Sequence, residues 1–331
     1  MKNCAVFLFI LVFTWSSAQA QQSSHAQSVQ GPRSQGQTHL VRFDLPPELG
    51  KEYDFLGQKL RLDRPDLRSR LISQVNFLLY DARSVLTEWL LEKTRSNWIL
   101  RETFSKNGVP EDFIWLAPVM AGAARSSKPQ GVGAWLLDKP CSAIEGVEMR
   151  DNSFMDDRLD IQLSTKCFAH RISSLHNDYK FNWFMATVAY LLSPKTTTEI
   201  IDKYGTSNPW DIPLPKNIED MLDRWIALKI IYTNRQYYGL EFKDPAPFIF
   251  DQLSDVRLSK DLPVAEIAKI LSVSPRLILE INPKIKTTPG IFPAKADGKQ
   301  LTHTIAAPSG KGVLLLKKLE ELGYVEGFRK L

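Results

Sequence analysis

The sequence predicts a mainly α-helical fold, and three stretches carry that expectation. Between Asp63 and Asn107, the residues Leu71, Ile72, Val75, Leu78, Leu79, Ala82, Leu86, Trp89 and Leu90 recur at steps of three and four, which builds one broad apolar helix face. Val264, Ile267, Ala268 and Leu271 repeat that spacing over a shorter helix. Ser274 and Pro275 then supply an N-cap and a first-turn residue for a second helix, which stops at Asn282-Pro283. A last amphipathic run, Val313 to Leu322, predicts a terminal helix.

Taken in chain order, residues 1–20 read as a signal peptide. Lys2 is a positive start, Ala5 to Phe13 an apolar core, and Ala18-Gln19-Ala20 a small-x-small cleavage site before Gln21. The apolar run is too short for a membrane-spanning helix, and no cysteine follows the cut to take a lipid. An uncleaved anchoring helix is the alternative. The expectation is export to the periplasm or beyond, with no membrane span after cleavage. Residues 21–40, mostly Gln, Ser, Gly and His without apolar periodicity, read as a disordered linker. About 290 residues remain, enough for more than one domain.

The net charge of +5 falls by one to +4 when Lys2 leaves. A weakly basic chain is compatible with an anionic cell-wall polymer but selects no partner, and nothing resembles a nucleic-acid patch. Of three cysteines Cys4 leaves with the signal; Cys141 and Cys167 are then either one disulfide, as an oxidising compartment favours, or two buried thiols. His25, His39, His170, His176 and His303 show no metal-ligand spacing, and only Cys167 lies close to one of them, His170. No metal or cofactor is expected.

Asp63 with Pro65 behind it starts the helical region assigned to residues 41–107. A central domain follows over 108–243, and Asp244-Pro245-Ala246-Pro247 marks the boundary to a smaller module over 244–331.

Asp112-Phe113-Ile114-Trp115-Leu116-Ala117-Pro118-Val119-Met120-Ala121-Gly122 resembles the segment D-[LF]-x-[YW]-L-A-x-[VI]-E-S-[GA] of soluble-lytic-transglycosylase-type enzymes, the D-type murein transglycosylases in particular. Leu56 to Leu62, Arg64 to Arg68 and Asn107 to Asp112 are similar to the lead-in of that family. Gly131-Val132-Gly133-Ala134-Trp135 resembles its glycine-tryptophan turn, G-[LI]-W-Q, and Asp156 to Asp160 its D-x-R-x-D run. Thr187-Val188-Ala189-Tyr190 resembles the start of A-A-Y-N, and Trp210 to Lys216 the W-x-L-P-L-P-x segment. The motifs fall in the family's order over about 180 residues; the ordered set is specific where each motif alone is weak. The resemblance implies a lysozyme-like domain. Ile267 to Pro283, as I-A-x-x-x-x-V-S-x-x-x-I-x-x-x-N-P within a strand-helix-helix-strand order, resembles a degenerate LysM repeat, a sugar-binding module; a helical cap on the main domain is the other reading.

In the resembled family a single glutamic acid cleaves peptidoglycan glycan strands. It protonates the glycosidic oxygen, then takes a proton from the 6-hydroxyl as a 1,6-anhydro ring closes, work that needs a carboxyl of raised pKa. This chain has Met120 at that position. A thioether has no proton to give, and losing a general acid alone removes roughly 10²–10⁴-fold from catalysis. The neighbouring positions change in the same sense: Ala121 for serine, Leu136 for the glutamine after the motif tryptophan, Leu191 for the asparagine of A-A-Y-N, and Met221 for a tyrosine, with Asn217 at a glutamate position. The expected groove is filled in or converted to an apolar pocket. Trp135 and Tyr190 either stack a sugar ring or pack the core.

Three functions compete. The favoured one is an inactive lytic-transglycosylase relative that binds peptidoglycan or scaffolds the envelope. The second is an active transglycosylase with a displaced acid, Glu145 or Glu148. The third is a glycan-independent interaction module in an envelope complex, using an apolar patch at Met120, Leu136, Leu191 and Met221.

Overall fold

The computed structural model describes residues 42–126, 131–139, 141, 149–244, 246–247 and 249–325, with only the backbone described at 92–96 and 123–126. The expected signal peptide and linker, Glu145 and Glu148 lie outside the described residues.

A β-hairpin comes first. β1 (Glu52–Phe55) and β2 (Gln58–Arg61) pair antiparallel, and Leu56 and Gly57 turn the chain at φ 59° and 69°. Two successive positive φ angles make a tight turn whose twist suits the strands, at home for Gly57 and costly for Leu56. The Leu56 N–H donates to Asp112 Oδ2 at 2.6 Å, which holds the turn on the helices. The helical reading of 41–107 did not include this hairpin, because strands of four residues leave too short an alternation to register.

α1 (Pro65–Asn76) has proline at its first position and runs through a π-turn, Phe77–Asp81, into α2 (Arg83–Lys106). The single apolar run in the sequence is thus two helices joined by one wider turn. Its stripe passes through unbroken: Leu67, Leu71, Val75, Leu78, Leu79, Leu86, Trp89 and Leu90 are all buried. A 3₁₀ turn (Glu111–Trp115) leads into α3 (Leu116–Ser126). α4 (Ile161–Asp178) and α5 (Trp183–Leu192) carry side-chain N-caps from Asp160 and Asn182, and α6 (Pro194–Tyr204) one from Ser193. α7 (Lys216–Thr233) packs on α1, and α4 on α2 and α5. One core joins the hairpin and these helices around Phe55, Phe104, Phe113, Trp135, Phe168, Phe184 and Trp225.

A second core lies beyond residue 250. β3 (Phe250–Arg257) pairs antiparallel with β8 (Thr302–Pro308), with a register shift between Leu253 and Val256. Between them run β4 (Leu262–Pro263), α8 (Val264–Leu271), α9 (Pro275–Ile281) and three short strands, β5 (Ile291–Phe292), β6 (Lys295–Ala296) and β7 (Lys299–Gln300). β4 pairs with β5 and β6 with β7, and α10 (Gly312–Glu321) follows β8. The order is strand, helix, helix, strand around Val256, Ile267, Ile278, Phe292, Ile305, Leu315 and Leu319.

The first lobe contributes Met155, fully buried, to this second core. Around it Met155 bridges Ile285, the Asp156 N–H donates to the Lys284 carbonyl at 2.8 Å, and the Lys286 N–H donates to the Phe154 carbonyl at 2.9 Å. Among the described residues no helix is long and apolar enough to cross a membrane.

Candidate functional site

The segment leading to Met120 is apolar on every side, and it lies inside the first core. Phe113, Ile114, Trp115, Leu116, Ala117, Val119 and Met120 are all buried, Met120 at 0 % exposure. A helix apolar all round is an interior helix. Ala121 and Gly122 are half-buried. At Gly122 an added Cβ would lie 2.3 Å from the Trp89 ring, so α3 meets α2 at a distance only glycine permits.

Both carboxyls of this segment are engaged in ion pairs. Glu111 and Asp112 both sit in the 3₁₀ turn ahead of α3. Asp112 is committed to the fold: Oδ2 accepts from Leu56, Oδ1 pairs with Lys229 Nζ at 2.5 Å, and its carbonyl accepts from Trp225 Nε1 at 2.8 Å. Glu111 pairs with Arg101 at the surface, 2.5 Å apart.

The glycine-tryptophan turn faces the same core. Val132 and Leu137 exchange both backbone hydrogen bonds at 3.0 Å. Gly131 is forced, since a Cβ there would stand 2.0 Å from the Leu136 carbonyl oxygen; at Gly133, with φ 77°, one would stand 2.2 Å from that of Arg158. Leu136 itself holds φ 48°. Trp135 has no exposed surface, and its ring stacks on Phe168 with centroids 3.9 Å apart. Its indole Nε1 donates to Thr165 Oγ1 at 2.9 Å, and its carbonyl accepts from the Tyr190 hydroxyl at 2.6 Å. Burial pushes the Tyr190 phenol well above its ordinary range.

Met120, Trp135 and Met221 therefore belong to one buried cluster, against which half-buried Leu136, Tyr190 and Leu191 pack. Asn217 stands apart, exposed on α7. Cys141 and Cys167 are joined by a disulfide with Cα atoms 6.0 Å apart, and the Cys141 N–H donates to Met149 Sδ at 3.4 Å. Among the described residues no group of His, Cys, Asp and Glu is placed to hold a metal ion.

The D-x-R-x-D run does a different job. Asp156 accepts from the Arg158 backbone and guanidinium, and that hydrogen bond holds the Arg158 charge above its ordinary range. Asp157, fully buried, accepts from Arg150 N–H and Nε at 2.9 Å. Asp160 caps α4 and accepts from Lys284 Nζ of the second core at 2.9 Å; Lys284 is 3 % exposed. Sequence reading did not find this clamp, because its partners lie 124 residues apart. It also missed Asp223, buried on α7 beside Arg70 at 2.8 Å. Burial raises the Asp223 carboxyl to about 6 even against that guanidinium. The available signal was an acid inside the apolar run Met221-Leu222-Asp223-Arg224-Trp225.

Two clefts among the described residues bear on the site. One, of about 120 Å³, runs between the cores, lined by Ile99, Asp160, Phe250, Asn282 and Lys284 among others. The other, of about 150 Å³, lies between the hairpin and the loop before α7. Neither is lined by Met120, Leu136, Leu191 or Met221.

No family model matches the chain. It is 21 % identical over 304 residues to membrane-bound lytic murein transglycosylase D of Escherichia coli (strain K12), and equally to the protein of that name in Escherichia coli O6:H1. The match covers 86 % of this chain and 65 % of each relative. The chain thus spans about two thirds of the length of the curated relatives it matches. The chain is distantly similar to these transglycosylases.

Proposed function

We propose that this protein is an exported, peptidoglycan-associated relative of the lytic transglycosylases that no longer cleaves glycan strands and acts instead as a binding or scaffolding protein of the cell envelope. In this reading the helical lobe is lysozyme-like and the C-terminal module LysM-like, with domain limits near 107 and 243. One observation carries it: the residue standing where the resembled family has its acid is Met120, without exposed surface and inside an apolar cluster. A general acid must reach the oxygen it protonates, and this position offers neither a proton nor access. The distant similarity to a murein transglycosylase supports a glycan partner.

A second reading keeps activity through Glu145 or Glu148. The observation in its favour is that Cys141 and Met149, on either side of those residues, are tied to each other, and Cys141 is tied to α4 beside Phe168. The third reading, a partner site at the apolar patch of Met120, Leu136, Leu191 and Met221, loses support from the burial of Met120 and Met221.

One experiment separates these. Purified protein is incubated with sacculi, and both sedimentation and soluble muropeptides are measured. Retention without 1,6-anhydro products is the expected result. Release of such products, abolished by Glu145→Gln or Glu148→Gln, would establish the displaced acid instead. Absence of both retention and products would leave the envelope-complex reading.

A further inference from the structure

The cleft of about 120 Å³ between the two cores has an apolar floor, to which Ile99 and Ile161 come from the first lobe and Phe250, Ile281 and Ala306 from the second. Most of the polar groups that line it are already matched within the fold. Lys284 is buried against Asp160 Oδ2 at 2.9 Å, and Asp160 Oδ1 accepts the Gln162 and Leu163 N–H groups that open α4. A helix N-terminus draws anions through such N–H groups; here a carboxylate of the chain already holds them. Asn282 exchanges two hydrogen bonds with the Ala306 backbone, at 2.9 and 2.8 Å. Gln252 Nε2 donates to Gln162 Oε1 at 3.1 Å, which leaves one acceptor, Gln252 Oε1, and one donor, Gln162 Nε2, neither of them charged.

Glu280 is what remains. It stands in the last turn of α9, lines the cleft and is exposed, and among the described residues it has neither an ion pair nor a hydrogen bond. Asp160 and Lys284 cancel, so the charge left on the cleft is negative and sits on Glu280. Thr304 lies on the same face of β8 as Ala306 and brings a hydroxyl with no hydrogen bond among the described residues.

An unmatched carboxylate beside an apolar floor selects a cation with an apolar body. The carboxylate takes the charge while the body displaces water from the isoleucines. A primary ammonium suits the polar groups, because it only donates, and Glu280, Gln252 Oε1 and the Thr304 hydroxyl can all accept. The volume sets the length: at about 30 Å³ for a water-sized group, the cleft holds a chain of about four carbons.

We infer that the cleft between the cores is a binding site for a short primary alkylammonium, with Glu280 as its counter-ion. The site is independent of the glycan reading above, since such a ligand carries no sugar.

The test is a titration of the full chain, with isoleucine methyl groups labelled for NMR, using n-alkylamines from ethyl to hexyl. The methyl signals of Ile99, Ile161 and Ile281 are expected to shift together and to saturate. Affinity is expected to rise by up to about fourfold per added methylene and to level off once the cleft is full, near n-butylamine. Glu280→Gln changes an exposed side chain and is expected to weaken n-butylamine by about three- to fivefold, the size of an exposed ion pair converted to affinity. The neutral analogue n-butanol is expected to bind wild type and variant equally. Nα-acetyl-lysine amide carries a chain of the same length on a peptide unit. Binding as tight as n-butylamine would assign the site to a lysine side chain of a peptide, weaker binding to a free amine, and either upholds it. Silent isoleucine signals, a variant that binds n-butylamine as the wild type does, or an affinity that climbs without levelling would each overturn the site.

Discussion

Met120 sits at 0 % exposure within the apolar core, and placing an acid there has a physical cost. A carboxyl at that point either ionises without a partner or stays protonated with its polar atoms unsatisfied. Met120→Glu is therefore expected to lose about 2–4 kcal/mol of stability, read as a lower midpoint in urea unfolding. It is also expected to release no anhydro-muropeptides, because Leu136, Leu191 and Met221 supply no group to hold a sugar. Turnover by this variant would show an accessible cleft that the burial of Met120 denies. Thr165 is the acceptor for the Trp135 indole, buried with it at 2.9 Å. Thr165→Val keeps the shape and strands that N–H, at an expected cost of about 1–3 kcal/mol by the same unfolding measurement.

At the scale of elements, the disulfide ties the glycine-tryptophan turn to α4 across 26 residues. Closing a loop of that length restricts the unfolded chain, so Cys141→Ser/Cys167→Ser is expected to lower stability by about 3–4 kcal/mol. An unchanged unfolding midpoint would mean that the buried contacts of Cys167 and Phe168 carry the turn alone. The same elements show what a sequence exposes. α1, α2, α8, α9 and α10 were legible because apolar residues at helical spacing face a core, and Ser274 before Pro275 marked the start of α9 to the residue. The hairpin was not, because its pairing is short and its turn begins at Leu56, a residue that does not announce a positive φ. At the candidate site the apolar run around Met120 was legible in the sequence, and the fold buries it. That Trp135 lies in the core was not, since an aromatic in a motif reads alike whether it stacks on a ligand or on Phe168. The clamp from Asp160 to Lys284 is long-range, and no local pattern encodes it.

Across the whole molecule, the two cores carry buried ionisable groups that respond to acid in opposite directions. In the first, Asp223 is raised to about 6 by burial, so the folded state binds its proton more tightly than the unfolded chain does. Its penalty is present at neutral pH and is relieved as pH falls through about 6 toward the ordinary aspartate value. In the second, His303 is lowered to about 4, chiefly by burial and then by Arg150 and Lys284 nearby. Its Nε2 donates to the Pro293 carbonyl at 2.7 Å, and its buried Nδ1 has no hydrogen-bond partner, so the ring is held neutral. Here the unfolded chain takes the proton first. Stability is complete above the ordinary histidine value near 6.5 and declines as pH falls toward about 4, by up to about 3 kcal/mol. Between those limits the second core weakens while the α1–α7 interface of the first tightens. Two melting transitions are therefore expected to separate in calorimetry as pH is lowered from 7 to 4.5, with the lower one belonging to the module that holds His303. His303→Gln keeps a donor for the Pro293 carbonyl and cannot ionise, so its lower transition should stay level with pH. A wild-type profile that moves as one transition, or a variant that follows the same slope, would show that Met155 and the Asp160–Lys284 pair bind the cores into one cooperative unit, or that another group titrates in this window.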